Sequence, residues 1–378
     1  MSAAGSRKRR NDVDRGEAMQ TPENGGSTPG GTSTHQRGVH FASTGFPHRG
    51  MTSAWRNTPF HRAPTKRRIP QHSQLEENGD PQKIASLMRK QWNLYSVTPL
   101  YSFSHTRLTD YSRSLAVFIA AEKQKGIAVE VDVDLDVKVT VTMLLGLKGQ
   151  ERDPGAILIE LSSKPQFGVP VSEEKIVWTG WFCCTFGDPE ILDFLPEMFT
   201  CLPLFLVNGT NTFTAIVGSW FQKTFDCCIS DFAISSRDLS WMAAMWTGYD
   251  VHSRPMATEL LFSVPIQPHS LDISYAIHPE DARALWNDIH KNADEVTEDE
   301  VQLFLKCLYS HFFRHFKIHL SATKLVKVST SVASVHCDGK VKNTKSSTSA
   351  LNGCFCMTDV INWACSCAVI ISPGCWHY

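Results

Sequence analysis

The chain lacks the sequence features of secreted, membrane-spanning and most catalytic proteins. Its first fifty residues hold no apolar segment of the kind that forms a secretory signal peptide, and no uninterrupted apolar stretch is long enough to cross a bilayer. The signature sequences of P-loop NTPases, dinucleotide-binding folds, α/β-hydrolases and zinc metalloproteases are missing. We therefore expect a soluble intracellular protein without catalytic residues or a cofactor, whose twelve cysteines remain thiols in a reducing compartment.

The chain also has little net charge, but its charges are unevenly distributed. The formal net charge is −1. Residues 1–70 carry twelve Lys or Arg and four Asp or Glu, a net charge of +8, so the remaining residues sum to −9. A basic arm attached to a mildly acidic body is common in proteins that work close to nucleic acid.

Residues 1–75 are predicted to be a disordered basic arm. This segment is rich in Gly, Ser, Thr, Pro, Arg and His, so it cannot bury enough apolar surface to offset the entropy of ordering it. Two basic tracts are candidate nuclear import signals or phosphate-binding patches, with a solvated charge run as the alternative. These tracts are Arg7, Lys8, Arg9 and Arg10, and Lys66, Arg67 and Arg68. Three threonines that precede proline are candidate phosphorylation sites: Thr21, Thr28 and Thr58.

Residues 80–342 contain the periodic patterns of a folded α+β body. Every odd position from 129 to 141 is apolar and every even one is polar, which predicts a strand with one buried and one solvated face. The predicted strands occur mostly in runs, which favours a largely antiparallel sheet with flanking helices over a doubly wound fold. The predicted helices cover 80–92, 108–125, 236–246, 279–290 and 298–313. The predicted strands cover 129–141, 156–163, 176–186, 199–207, 214–225, 258–264 and 271–277, and a further strand begins at 317.

Three aspartates in the alternating segment resemble the start of a calcium-binding loop. Asp132, Asp134 and Asp136 have the spacing of an EF-hand, but the positions that require Gly and Glu hold Val137 and Met143. We therefore interpret the three carboxylates as the solvated face of a strand.

Three histidines spaced by four residues lie at the end of the last predicted helix, which begins at a predicted capping box of Thr297 and Glu300. His311, His315 and His319 would form a candidate metal-binding face only if the helix continued through all three. Because the pattern from 317 onward predicts a strand, the third histidine is expected to leave the helix. We prefer helix-end charge or phosphate contact, and a metal-dependent nucleic-acid-processing enzyme remains the alternative function.

Two vicinal cysteine pairs, Cys183–Cys184 and Cys227–Cys228, are assigned to predicted strands. Neighbouring side chains of a strand point to opposite faces, so neither pair is suited to share a metal ion. A buried structural role is predicted for both pairs.

A basic run over 316–334 is the strongest candidate for a functional surface. It holds no carboxylate although the body as a whole is acidic, which predicts a positive surface facing DNA. In a strand, 317 and 319 would share a face, whereas 324 and 327 would lie on opposite faces unless a bulge intervened. The alternative is a solvated edge strand whose lysines prevent aggregation. The candidate contacts to DNA phosphates are Lys317, His319, Lys324 and Lys327.

Long segments of the body are distinctive enough to indicate a family. They are QKGIAVEV (124–131), WTGWFCCTFGD (178–188), GSWFQKTFDC (218–227), LSWMAAMWT (239–247), SLDISYAIHPEDARALW (270–286) and FKIHLSATKLVKVSTSVAS (316–334). From near Arg67, in RRIPQHSQL, to about Lys342, the chain closely resembles the vertebrate centromere protein L family. The resemblance implies a curved antiparallel sheet with flanking helices and no catalytic residues, in agreement with the α+β prediction.

The resemblance also implies a function. Family members are non-enzymatic subunits of the inner kinetochore that pair with centromere protein N, which recognises the nucleosome of the centromeric histone H3 variant. They dock to other inner-kinetochore subunits, including centromere protein C, and the pair helps to enclose DNA in a basic channel. On this resemblance we expect a nuclear scaffold subunit for chromosome segregation, located at the centromere and kinetochore. Its contact with centromeric nucleosomes and DNA is expected to occur mostly through partners, with no membrane contact.

After Lys342 the sequence departs from the family, whose members continue into an apolar segment capable of forming a helix. Residues 343–378 hold a Ser/Thr run and then a Cys-rich stretch. Its two C-x-C pairs and a fifth cysteine could supply four thiolates to zinc, although C-x-C is tighter than the usual structural spacing. We prefer an alternative splice product or a mispredicted exon as the origin of this tail. The cysteines are Cys354, Cys356, Cys365, Cys367 and Cys375.

Overall fold

Helices and strands both contribute to the body in the computed structural model, which describes residues 66–68, 80–125, 137–146, 153–163, 175–185, 192, 195–248, 256–264, 270–292, 295–331 and 333–343. The helices within these ranges are α1 (Pro81–Met88), α2 (Leu108–Gln124), α3 (Asn211–Phe225), α4 (Ser236–Gly248), α5 (Pro279–Ile289) and α6 (Glu298–Phe316). The first strands are β1 (Lys66–Arg68), β2 (Gln91–Val97), β3 (Leu100–Tyr101), β4 (Val137–Leu144), β5 (Ala156–Ser163), β6 (Lys175–Cys183), β7 (Phe199–Thr200) and β8 (Leu204–Asn208). The later strands are β9 (Ile229–Asp231), β10 (Thr258–Val264), β11 (Leu271–Ile277), β12 (Glu295–Thr297), β13 (Lys324–Ser329), β14 (Ala333–His336) and β15 (Lys340–Asn343).

Eleven strands form one large open sheet. Their order is β11-β10-β13-β14-β15-β2-β8-β6-β5-β4, and β9 pairs with the end of β2. All of these pairings are antiparallel. Two small sheets, β1–β12 and β3–β7, lie outside it. The α+β prediction with a largely antiparallel sheet is therefore confirmed.

Each face of the large sheet carries a hydrophobic core, but the two cores cover different strands. Helices α1, α4, α5 and α6 contribute to the first core, which also contains Trp92 of β2 and Val328 of β13. Helices α2 and α3 contribute to the second, which extends only over β2, β4, β5, β6, β8 and β9. Consequently β5, β6 and β8 are buried on both faces, whereas β13, β14 and β15 are buried on one face and accessible on the other.

Local sequence chemistry explains the start of helix α6. The Thr297 hydroxyl accepts a hydrogen bond from the Glu300 N–H, and the Glu300 carboxylate accepts one from the Thr297 N–H at 2.7 Å. This is the predicted capping box. The helix then buries an apolar stripe that includes Phe304, Leu308 and Phe312, and it continues past the predicted end at 313 to Phe316.

Residues 214–225 form most of helix α3, so the strand predicted for them is wrong. Phe213, Val217, Phe221 and Phe225 recur every four residues and are all buried, as expected for one face of a helix. This four-residue spacing is hard to recognise in the sequence, because neighbouring apolar residues such as Trp220 are buried as well. A helix that is buried over a wide face needs a nearly continuous run of apolar residues, and such a run resembles the sequence of an internal strand.

The helix predicted over 80–92 is shorter than expected. Asp80 caps it and accepts a hydrogen bond from the Gln82 N–H at 2.9 Å, but the helix ends at Met88. Trp92 and Leu94 lie in strand β2 and both belong to the first core, as alternate residues of a strand should. The strand predicted over 199–207 is likewise divided into β7 and β8.

Three residues of the predicted disordered arm are ordered. Lys66, Arg67 and Arg68 form strand β1, which pairs antiparallel with β12. The prediction of disorder is corrected for these three residues, because β12 supplies backbone partners that no local pattern reveals. The remainder of the arm, the three aspartates of the calcium hypothesis and the tail after 343 lie outside the described residues. Among the helices that are described, none is long and apolar enough to cross a membrane.

Candidate nucleic-acid interface

A bulge in strand β13 brings two of the predicted DNA-contacting lysines to the same face. Against strand β10, Lys324 pairs with Ser263 and Lys327 pairs with Leu261, so three steps along β13 match two along β10. The extra residue is Val326, which leaves Leu325 and Val328 both buried in the first core. Lys324 and Lys327 are therefore both directed to the opposite, accessible face.

Strands β14 and β15 add further basic residues to that face. His336 is the cross-strand partner of Lys327. Lys340 and Lys342 are both exposed on β15 and flank the fully buried Val341. We call the face formed by Lys324, Lys327, His336, Lys340 and Lys342 the open basic face. The prediction from the sequence omitted the two lysines of β15, although the alternation Lys340–Val341–Lys342 is itself a strand signal.

One carboxylate lies within the hairpin that ends the open basic face. Asp338 Oδ1 is 2.6 Å from His336 Nδ1, and Asp338 Oδ2 accepts a hydrogen bond from Lys340 Nζ at 2.6 Å. Burial by itself would raise the pKa of Asp338, but the hydrogen bonds and charges of Lys340 and His336 hold it below its usual value. The charge of Lys340 is therefore largely compensated within the hairpin.

The other three lysines keep their charge available. Lys324, Lys327 and Lys342 form no ion pair with any residue of the described ranges. Beyond β13, the face carries Glu259 of β10, which is the partner of Ser329 and accepts a hydrogen bond from Ser274, and Asp272 of β11, which is the partner of Ser263. The face is thus positive over β13–β15 and becomes acidic toward the β11 edge.

The structure places Lys317 and His319 away from this face, which corrects the prediction of one continuous basic strand. Lys317 ends helix α6 in the left-handed region, with φ of 58°. Its ammonium group lies 5.6 Å from the centroid of the Phe313 ring, and the His319 ring stacks on the same ring at 4.1 Å. A turn at Leu320–Ala322 buries Leu320 and delays the strand until Lys324.

The histidine cluster does not assemble as a three-residue site. The rings of His311 and His315 are 4.6 Å apart, and His311 Nδ1 is hydrogen-bonded to the Tyr275 hydroxyl at 2.8 Å. His319 is turned toward Phe313 instead, as expected for a residue beyond the helix. Within the described part of the chain, no group of three or more His, Cys, Asp or Glu side chains is arranged to hold a metal ion.

The two vicinal cysteine pairs differ in their location and burial. Cys183 and Cys184 are buried in opposite cores at the end of β6, as predicted for neighbours in a strand. Cys227 and Cys228 lie outside any strand, between α3 and β9, so their predicted location is wrong. Burial raises the pKa of the Cys227 thiol to about 12, whereas Cys228 is exposed.

Among the other predicted site residues, the second basic tract interacts with strand β12. Lys66 Nζ lies 3.7 Å from Glu295 Oε2, and the backbones of Arg67 and Arg68 pair with β12. The first basic tract, the three threonines and the tail cysteines lie outside the described residues, so their import, phosphorylation and zinc roles stay predictions.

An open antiparallel sheet with helices on both faces defines a protein of the α+β class. Residues 86–358 match the family described as Centromere protein L, which extends the match beyond Lys342, where the resemblance was expected to end.

Relatives from several vertebrates show the same relationship. The chain is 62% identical over 325 residues to Centromere protein L of Xenopus tropicalis, covering 86% of this chain and 93% of the relative. It is 56% identical over 292 residues to Centromere protein L of Homo sapiens, covering 77% and 85% respectively. It is 44% identical over 292 residues to Centromere protein L of Danio rerio, covering 75% and 79%. The chain belongs to the centromere protein L family, and it is therefore a centromere protein and a structural component of the kinetochore.

Proposed function

We propose that this chain is a non-enzymatic scaffold subunit of the inner kinetochore, which pairs with centromere protein N in the nucleus and places its open basic face against centromeric DNA. Centromere protein C and other inner-kinetochore subunits are its further partners in this proposal. Family membership supports the scaffold role. The observation that carries the DNA contact is the common orientation of Lys324, Lys327 and Lys342, none of which is neutralised by a described carboxylate.

The geometry of the open basic face suits a phosphate backbone. Lys327 and Lys342 project from strands separated by one intervening strand, a distance of roughly 10 Å. Lysines on a broad sheet act as mobile point charges, so they contact phosphates without reading base edges. The expected binding is therefore sensitive to salt and independent of DNA sequence.

The two edges of the large sheet support the pairing with a partner. At the β4 edge, the Val141 N–H donates to Ser112 Oγ of helix α2 at 2.9 Å, so that edge is partly covered. At the other edge, β11 pairs only with β10 among the described strands, and Leu271 is 54% exposed. An open edge strand with an exposed apolar residue can accept a strand from another protein. We assign the contact with centromere protein N to this edge.

Charge reversal on the open basic face tests the DNA contact. The variant Lys324→Glu/Lys327→Glu/Lys342→Glu is to be purified as the heterodimer with centromere protein N. Its affinity for a DNA duplex is then measured by fluorescence anisotropy at several salt concentrations. We expect weaker binding and a flatter dependence of log affinity on log salt, by about 0.9 for each phosphate that the variant no longer neutralises.

A matched variant separates this effect from a general change of charge. Lys175→Glu/Lys291→Glu/Lys306→Glu changes the net charge equally, at exposed positions on β6, after α5 and on α6. This variant should retain more of the DNA affinity than the open-face variant. The proposal fails if both variants lose affinity equally, or if the open-face variant keeps the salt dependence of the unmodified heterodimer.

A further inference from the structure

The end of helix α6 and the turn after it expose apolar side chains in a basic setting. All six residues from 314 to 319 are exposed, and we call this segment the α6 tip. Phe316 is 61% exposed and Ile318 is 45% exposed. Both residues lie within three positions of the chain, and covering them with another molecule would remove their apolar surface from water, which is favourable.

The α6 tip is held in place by aromatic contacts beneath it. The Phe316 ring lies 4.6 Å from that of Phe312, which is buried in the first core. Lys317 and His319 both contact the Phe313 ring, and the backbone at Lys317 is left-handed. The exposed side chains therefore lie on a supported surface, and little ordering is required when a partner binds.

The charge around the α6 tip has a single sign. The sequence contains no Asp or Glu from 301 to 337, and Arg314 and Lys317 form no ion pair with a described residue. Basic residues stabilise a helix C-terminus, which accounts for Arg314, His315 and Lys317. This effect does not account for the exposed Phe316 and Ile318.

The α6 tip is separate from the open basic face. Helix α6 contributes Phe304, Leu308 and Phe312 to the first core, whereas Lys324 and Lys327 are directed away from that core. A molecule bound at the tip would thus leave the open basic face accessible. The phosphate backbone of DNA offers no apolar surface for Phe316 and Ile318, whereas protein interfaces combine apolar anchors with a charged rim.

We propose that the α6 tip is a docking surface for an acidic segment of a partner protein. The apolar side chains of that segment cover Phe316 and Ile318, and its carboxylates lie beside Arg314 and Lys317. This occupant follows from charge complementarity, because the tip presents cations and no carboxylate. The proposal does not depend on DNA binding or on the pairing at β11.

Selection from a random peptide library displayed on phage tests the chemistry of the occupant. The full chain is used as bait, and peptides that also bind Phe316→Ser/Ile318→Ser are removed by counter-selection. The remaining peptides should be net acidic and carry aromatic or aliphatic residues. An enriched set without acidic residues, or the absence of any enrichment over the counter-selected variant, would overturn the proposal.

Synthetic copies of the selected peptides then show how much affinity each variant loses. By fluorescence anisotropy, Phe316→Ser/Ile318→Ser and Arg314→Glu/Lys317→Glu should each bind about tenfold or more weakly than the unmodified chain. Leu303→Ser is the matched control, because Leu303 is 47% exposed on the same helix but lies near its acidic first turn. Equal binding by all four proteins, or displacement of the peptide by a DNA duplex, would contradict a protein-docking role.

Discussion

Lys324 and Lys327 lie on the same face of strand β13 although three positions separate them in the sequence. The bulge at Val326 produces this arrangement, because Lys324 and Lys327 oppose Ser263 and Leu261, which are two residues apart on β10. The same bulge directs Leu325 and Val328 into the core. One extra residue therefore determines both the packing of this strand and the charge of the face that we assign to DNA.

The bulge predicts unequal effects of truncating two neighbouring side chains. Leu325 is 3% exposed, whereas Val326 is only half-buried. We expect Leu325→Ala to lower the free energy of unfolding by about 2–5 kcal/mol, and Val326→Ala to lower it by less than about 1 kcal/mol. Urea denaturation of the two variants measures both values. In a regular strand with Val328 inward, Val326 would be inward and Leu325 outward, so the reverse order would disprove the bulge.

Gly339 is predicted to be required in the hairpin that carries Lys340 and Lys342. Its φ is +78°, and an added Cβ would lie 2.4 Å from the backbone oxygen of Phe232, which cannot move independently. Gly339→Ala should therefore lower the free energy of unfolding by at least about 1–2 kcal/mol, the cost of a left-handed backbone alone. Urea denaturation checks this value.

Gly155→Ala is a suitable control for the Gly339 experiment. The added Cβ at Gly155 would contact the terminal methyl group of Met143, whose side chain is 46% exposed and can rotate away. This variant should be close to the unmodified chain in stability. If Gly155→Ala and Gly339→Ala lost equal amounts of unfolding free energy, the backbone conformation at Gly339 and the fixed oxygen of Phe232 would not be the cause of the loss.

Glu300 is predicted to make part of the stability depend on pH. Burial by itself would raise the pKa of Glu300, but hydrogen bonds from the Thr297 N–H and hydroxyl, together with His290, bring it below its usual value of 4.5. A lowered pKa in the folded state means that the carboxylate stabilises the fold fully above pH 4.5 and progressively less as the pH falls through the folded value.

Comparison with Glu300→Gln isolates this contribution. The difference in unfolding free energy between the unmodified chain and the variant should be largest near neutral pH and should shrink below pH 4.5. Asp299→Asn is the control, since Asp299 is exposed in the same helical turn, whereas the capping hydrogen bonds with Thr297 are made by Glu300. A difference that is constant across pH, or equally pH-dependent for the control, would contradict the prediction.

The β11 edge is predicted to be necessary for pairing with centromere protein N. Leu271→Asp places a charge on an exposed residue of this strand, so the fold should persist while co-purification of the two proteins decreases. Val117→Asp is the control, because Val117 is 70% exposed on helix α2, which packs on the other core. If the Leu271 variant co-purifies as well as the control, the partner binds elsewhere.

Local signals predicted the elements whose determinants lie within a few residues. The Thr297–Glu300 capping box of α6 is an example, because a helix start depends on the first turn alone. Strands β10 and β11 were predicted at their observed limits. Helix α3 was not predicted. Its buried face is wide, so its apolar residues do not show a clear helical period in the sequence.

The sequence by itself determined the α+β class, the family, and the absence of acidic residues from 301 to 337, because composition and local periodicity contain that information. Only the tertiary structure decided which basic residues meet. Lys327 and Lys342 share a face through pairings of β13, β14 and β15 with one another and with β2 and β10, strands that are distant in the sequence. Lys317 and His319 leave that face because the left-handed turn and the burial of Leu320 redirect the chain. Strand register and bulges depend on the partner strand, so a pattern read along one segment does not reveal them.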